Sequence, residues 1–159
     1  MPDAIFPPRE AGRLYLTEGG IETEIMYKWG HELPHFAMFP LLDDPEATED
    51  MKGIWRRYLR VAAENGFSAA MSGLDYRASP DWGALLGYTP EGLAAMQHRC
   101  IDFLRDLQAE FEGDIDHIYV SGTIGPRGDA YSLNRTITAG EAEEYHSVQL
   151  TTLKAAGAD

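Results

Sequence analysis

Three short stretches carry the residue types that could do chemistry, and each follows a short apolar run. The first is Glu18-Gly19-Gly20 in "LTEGGIETEIMY". A carboxylate at a strand end can hold a substrate ammonium, and two glycines let backbone N–H groups approach a substrate carboxylate closely. A tight turn with a solvated glutamate accounts for the same residues, and spacing alone favours the turn. In the second stretch, "SGLDYRASPDW", Tyr76 can line an apolar pocket with Arg77 or Asp75 supplying a polar contact. The alternative is a loop leading into a helix, with Tyr76 packed in the core. The third, "SGTIGPRGD", holds Gly122, Gly125 and Gly128. These lack the G-x-G-x-x-G spacing of a dinucleotide fingerprint, and Pro126 argues for an irregular loop.

Other reactive types are sparse. His31 and His35 are four residues apart, but Pro34 between them opposes the helix that a zinc-protease pair needs. His98 and His146 fall in helical stretches, beside the main apolar stripes. The single cysteine, Cys100, can form neither an internal disulfide nor, by itself, a thiolate metal site. No Ser-His-Asp or Cys-His set emerges.

The elements that must position these loops follow from apolar spacing. A helix is predicted from about Glu46 to Asn65, burying Met51, Ile54, Trp55, Tyr58 and Ala62. A second begins at Thr89 with Pro90 in its first turn and buries Leu93, Met96, Cys100, Leu104, Leu107 and Phe111. That stripe makes Cys100 a core residue. A third opens at Thr138, with Glu141 completing a capping box, and buries Ala142, Tyr145, Gln149 or Val148, Leu153 and Ala156. Between them, "RLYLT", "FSAAMS" and "HIYVSG" have strand length without clean alternation, the mark of parallel strands buried on both faces. Gly66, Gly113 and Gly157 each lead from a helix toward a strand, so a strand-helix unit repeats about every 45 residues. A fourth strand is expected to begin at Ala158 and Asp159. The expected whole is therefore α/β, about three and a half strand-helix units of a larger barrel or open sheet. In such folds the carboxyl ends of the strands are the functional side, where the three loops above lie.

Composition narrows the partners. A chain of 159 residues suits one domain, with residues 1–12 read as an irregular arm. A net charge of -13 with scattered basic residues repels phosphate backbones, so no nucleic-acid partner is expected. No stretch approaches the length of a membrane span, and the N-terminus lacks a secretory signal; a cytoplasmic location is expected.

Taken together, "LTEGGIETEIMYKWGHELPHFAMFPLLDDPEA", "YRASPDWGALLGYTPE", "SGTIGPRGDAY" and "EAEEYHSVQLTTLKAAGAD" resemble the N-terminal half of the homocysteine S-methyltransferase family, from about Leu14 to Asp159. The resemblance implies a (β/α)8 TIM barrel that moves a methyl group from S-methylmethionine, S-adenosylmethionine or betaine onto homocysteine. It also implies a zinc ion, held by three cysteines, that lets the substrate thiol ionise near neutral pH. Carried over, the family's substrate-binding positions are Glu18, Gly19 and Gly20, with glutamate where aspartate is usual. Tyr76 matches a pocket aromatic, and Arg77 stands where many members have another aromatic residue. Phe36 matches a further pocket aromatic, and Gly125 lies in the glycine-rich loop that contributes backbone shape. Cys100 matches none of the zinc cysteines, so no catalytic or metal residue is expected in this chain, which would be an incomplete homocysteine-binding barrel. A different class is also open: a truncated, non-catalytic module that self-associates or binds a partner through open sheet edges. A complete small α/β binding domain is the third reading.

Overall fold

The computed structural model describes residues 10–132 and 137–159. The expectation of an N-terminal arm therefore falls mostly outside the described residues; Glu10 to Gly12 form a turn. Three strands, β1 (Tyr15–Leu16), β2 (Ser68–Ser72) and β3 (Ile118–Ser121), make one parallel sheet in the order β1-β2-β3. Tyr15 pairs with Ser68, and Ala69 pairs with Ile118. Adding each strand to the same side by right-handed crossovers puts the connecting helices on one face.

Helix α1 (Ile21–Lys28) follows β1 directly, and two short 3-10 turns, Pro34–Phe36 and Phe39–Asp43, lead to α2 (Pro45–Asn65). After β2 come a short α3 (Pro80–Leu85) and α4 (Pro90–Glu110); after β3 comes α5 (Ala139–Ala156). The three long helices stand where apolar spacing puts them. Asp44 caps α2 by accepting from Glu46 N–H at 2.9 Å, and Thr138 and Glu141 form the capping box of α5. Gly66 and Gly157 close α2 and α5 in the left-handed region, at φ 67 and φ 94.

Three details differ from expectation, and one open alternative is resolved. Helix α4 closes at Phe111 rather than at Gly113, because Gly113 sits in a separate turn bridged by Glu112 and Ile115. Of the two alternatives open on α5, Gln149 is the buried residue and Val148 is 55% exposed. Strand β1 is only two residues long and Leu14 is 63% exposed, so the first strand is half-buried rather than covered on both faces. Helices α1 and α3 were not foreseen, being too short for a periodic stripe to stand out.

The core lies between sheet and helices. Ile101, Leu104 and Leu107 of α4 are fully buried, as are Met51, Ile54 and Trp55 of α2. Trp55 meets Phe103 edge-on at 5.5 Å between ring centroids. Beyond α5, the chain turns at Gly157 and comes alongside β3: Asp159 N–H donates to Val120 O, and Val120 N–H donates to Asp159 Oδ2, both at 2.9 Å. The expected start of a fourth strand thus lies beside β3, on the edge away from β2. Among the described residues, no helix is long and apolar enough to cross a membrane.

Leu104→Ala should cost about 2–5 kcal/mol in urea unfolding, whereas Leu85→Ala, at a 63% exposed position, should change stability by less than about 0.5 kcal/mol. Equal effects would contradict the assignment of the core.

Candidate functional site

Glu18 lies two residues beyond β1 and reaches across to the end of β2, where its Oε2 accepts from Ser72 N–H at 3.0 Å. Burial pushes its carboxyl pKa up, and the Ser72 hydrogen bond pulls it back. The Trp55 indole, whose buried Nε1 lacks a hydrogen-bond partner of good geometry, favours the charged form more weakly. Glu18 is therefore not the solvated glutamate of a simple turn; one of its oxygens already joins two strand ends.

The two glycines have separate tasks. Gly19 is held by a residue that spacing assigned to the core stripe: Tyr58 Oη donates to Gly19 O at 3.1 Å and faces Gly19 N–H at 3.4 Å. Gly20 turns the chain with φ 60 and ψ 34, a conformation that suits glycine, and starts α1 without a side-chain cap. The first N–H groups of α1 are thus left to an anion or to water.

Across the sheet, Asp75 is the most confined polar side chain at the strand ends. It has no exposed surface, and its two oxygens accept from Thr123 N–H at 3.1 and 3.2 Å. Gln149 Nε2 on α5 donates to Asp75 O at 2.7 Å. Space for the carboxylate depends on glycine: a Cβ on Gly73 would stand 1.9 Å from Asp75 Oδ1, and one on Gly122 would stand 3.1 Å from Oδ2. Burial raises the Asp75 carboxyl to about 6, against the pull of the Thr123 and Gln149 hydrogen bonds. Sequence offered Asp75 as an alternative polar contact to substrate; the structure makes it an internal tie between the β2 and β3 loops.

The same loops bring Tyr76, Arg77 and Gly125 together. Gly125 N–H donates to Tyr76 O at 3.2 Å, and a Cβ on Gly125 would lie 2.6 Å from that oxygen, so only glycine permits the approach. The Arg77 guanidinium lies 4.9 Å from the Tyr76 ring centroid and 4.2 Å from that of Trp82. Its Nη1 donates to Gly128 O at 3.0 Å. Phe36 is 39% exposed and, like His35, has positive φ, which for such residues stores strain. The His35 ring sits 6.0 Å from Trp82, so the Phe36 segment borders the Arg77 stack. Tyr145 Oη on α5 donates to Ser79 Oγ at 2.8 Å and anchors the far end of the β2 loop.

Among the described residues there is no group of three His, Cys, Asp or Glu placed to hold a metal. Cys100 is fully buried and its thiol is pushed well above the usual range by burial, the opposite of what a ligand or nucleophile needs. These residues do not fit a zinc ion. A recess of 510 Å³ lined by Gln108, Glu112, Asp116 and Ile118 opens at the amino end of β3, away from this cluster.

The Asp75 geometry has a pH signature. A folded pKa of about 6, above the ordinary 3.8, means that the folded state binds the proton more tightly, so the group's contribution is full below 3.8 and is lost as pH rises through 6. Between about pH 4.5 and 7 that loss is about 2 kcal/mol. Asp75→Asn should remove this slope from denaturant unfolding, and an identical slope in both proteins would contradict the buried carboxylate.

Comparison with known proteins places the chain in a family. Residues 15–159 match the family model described as homocysteine S-methyltransferase. Two crystal structures of the homocysteine methyltransferase MmuM from Escherichia coli, in metallated and oxidized forms, each superpose with a TM-score of 0.69 at 19% identity. Each match covers 92% of this chain and 51% of the other, so the chain spans about half the length of these structures and shares their fold over that half. No curated protein matches the sequence. With a family match over nearly its whole length, the chain belongs to the homocysteine S-methyltransferase family.

Proposed function

We propose that this chain forms the homocysteine-binding front of a zinc-dependent S-methyltransferase with a (β/α)8 barrel. The observation that carries the reading is the gathering of Glu18, the uncapped start of α1, and the Tyr76–Gly125 contact at the carboxyl ends of three parallel strands. The Glu18 carboxylate, with Oε2 on Ser72, turns its other oxygen to the substrate ammonium. The turn through Gly19 and Gly20 directs the first N–H groups of α1 at the substrate carboxylate. Tyr76 and Phe36 wall the aliphatic part, and Gly125 lets the backbone close on it.

Zinc would make the homocysteine thiol a thiolate at neutral pH, but the described residues do not supply its ligands. Methyl transfer from S-methylmethionine, S-adenosylmethionine or betaine then needs cysteines from a further part of the barrel, as in the family. A second reading, self-association, is favoured by the sheet edges: β1 pairs only with β2 among the described residues.

The test is methionine formation from homocysteine and S-methylmethionine with zinc. The 159-residue chain should form none. A longer protein carrying the family's three cysteines should turn over, with Glu18→Ala raising its KM for homocysteine about tenfold, as expected for a lost charged hydrogen bond. Zinc-dependent turnover by the short chain would contradict the missing metal site, and an unchanged KM would return Glu18 to a tie on Ser72 alone.

A further inference from the structure

Two neighbouring residues hold a backbone conformation that their side chains oppose. His35 and Phe36 have φ 52 and φ 62, and among the described residues no other non-glycine residue has a positive φ. The cause lies on either side of them. Leu33 and Ala37 are both buried, so the chain must leave the core and return within three residues, and Pro34 has little freedom to turn. Phe36 N–H donates to Leu33 O at 2.9 Å and Ala37 N–H to Pro34 O at 3.0 Å, so the reversal falls on His35 and Phe36. Such a conformation persists only where its surroundings over-determine it. Downstream the hold is strong: Phe39 is fully buried against Tyr88, with 5.3 Å between ring centroids, and Arg99 on α4 binds both the Asp43 side chain and Leu42 O. Upstream, one side-chain hydrogen bond ties residues 29–38 to the rest of the chain among the described residues. His31 Nε2 lies 2.7 Å from Asp50 Oδ2 on α2, and a carboxylate can only accept, so Nε2 carries the hydrogen. The pair is shielded, its side chains 17% and 23% exposed.

We propose that His31 and Asp50 are positioning residues: their hydrogen bond latches a strap, residues 29–43, to α2 and so holds Phe36 in place as a wall of the homocysteine pocket. This rests on the reading of Phe36 as such a wall. With the latch closed, the strap is fixed at both ends, and its anchors carry the strain at His35 and Phe36. With the latch open, the upstream arm keeps the buried Leu33 and the His31 N–H to Ile25 O bond at 3.2 Å. His35 and Phe36 then relax toward negative φ, and the 39% exposed Phe36 ring swings off the pocket. The His35 ring, 6.0 Å from that of Trp82, moves with it and makes Trp82 a reporter of the strap.

Four variants of the chain test this, with circular dichroism to confirm folding. Asp50→Ala opens the latch, and His31→Ala opens it from the strap side, so either can stand in for the other. Asp50→Asn keeps an acceptor for Nε2, and Lys52→Ala, which breaks the ion pair to Asp106 from the same helix, is the control. Calorimetric titration should show homocysteine affinity lowered about fivefold in the two latch variants, the range of ordering one side chain on binding, and unchanged in Asp50→Asn and Lys52→Ala. In the isotope-labelled chain, the Trp82 indole resonance should shift in the latch variants alone. His35→Gly adds a readout that a general loss of stability would not move. Glycine accepts a positive φ without strain, so His35→Gly should raise the urea midpoint more in the parent than in Asp50→Ala or His31→Ala. Equal midpoint shifts in the two backgrounds, an unmoved Trp82 resonance, or an affinity loss shared by Asp50→Asn or Lys52→Ala overturns the proposal. A folded parent chain that binds no homocysteine sinks the functional reading, and the Trp82 resonance and the midpoint shifts then decide the latch by themselves.

Discussion

The carboxylate of Asp75 is the constraint on which the site depends. It is buried with no charged partner among its hydrogen bonds, so it survives only because Thr123 N–H points at both oxygens and Gln149 holds its backbone. Those requirements propagate. Gly73 and Gly122 must lack side chains, α5 must bring a polar residue to a buried position, and the loops after β2 and β3 must leave the sheet side by side. Once they do, Tyr76 meets Gly125, and Arg77 reaches Gly128. The glycine-rich third loop is thus shaped by packing against the second and has little side-chain chemistry of its own.

A similar division runs through the first loop. Glu18 joins β1 to β2 through Ser72, and Tyr58 fixes Gly19 from α2, so an acidic residue and a glycine pair become a rigid corner. The extra methylene of glutamate over aspartate gives the length to reach Ser72 N–H. In the proposed reading the same carboxylate serves binding and structure, which is why the turn and pocket readings of these residues could not be separated by spacing.

Much of the fold was legible because its signals are long or local. The stripes of α2, α4 and α5 span five turns or so each, and the Thr138 capping box and Gly66 closure are written in adjacent residues. Helix α1 was missed because eight residues give barely two turns of pattern, and α3 because six give fewer. The site was legible as three loops but not as partners. Tyr58 looked like one more stripe residue, and nothing in the sequence joins Asp75 to Thr123 across 48 positions. One signal was available: Gln149 is a polar residue on the apolar stripe of α5, and a buried amide needs a partner.

The central claim is that the strand-end loops, held by Asp75 and Glu18, form an amino-acid pocket. Titration of homocysteine into the isotope-labelled chain, followed by backbone amide NMR, addresses it directly. Saturable shifts should gather at Gly19, Gly20, Ile21 and Gly125, leaving Gly66 and Gly113 at the opposite end of the strands unmoved. Shifts centred on Gly66 and Gly113, or no saturable shift at the strand-end loops, would contradict it.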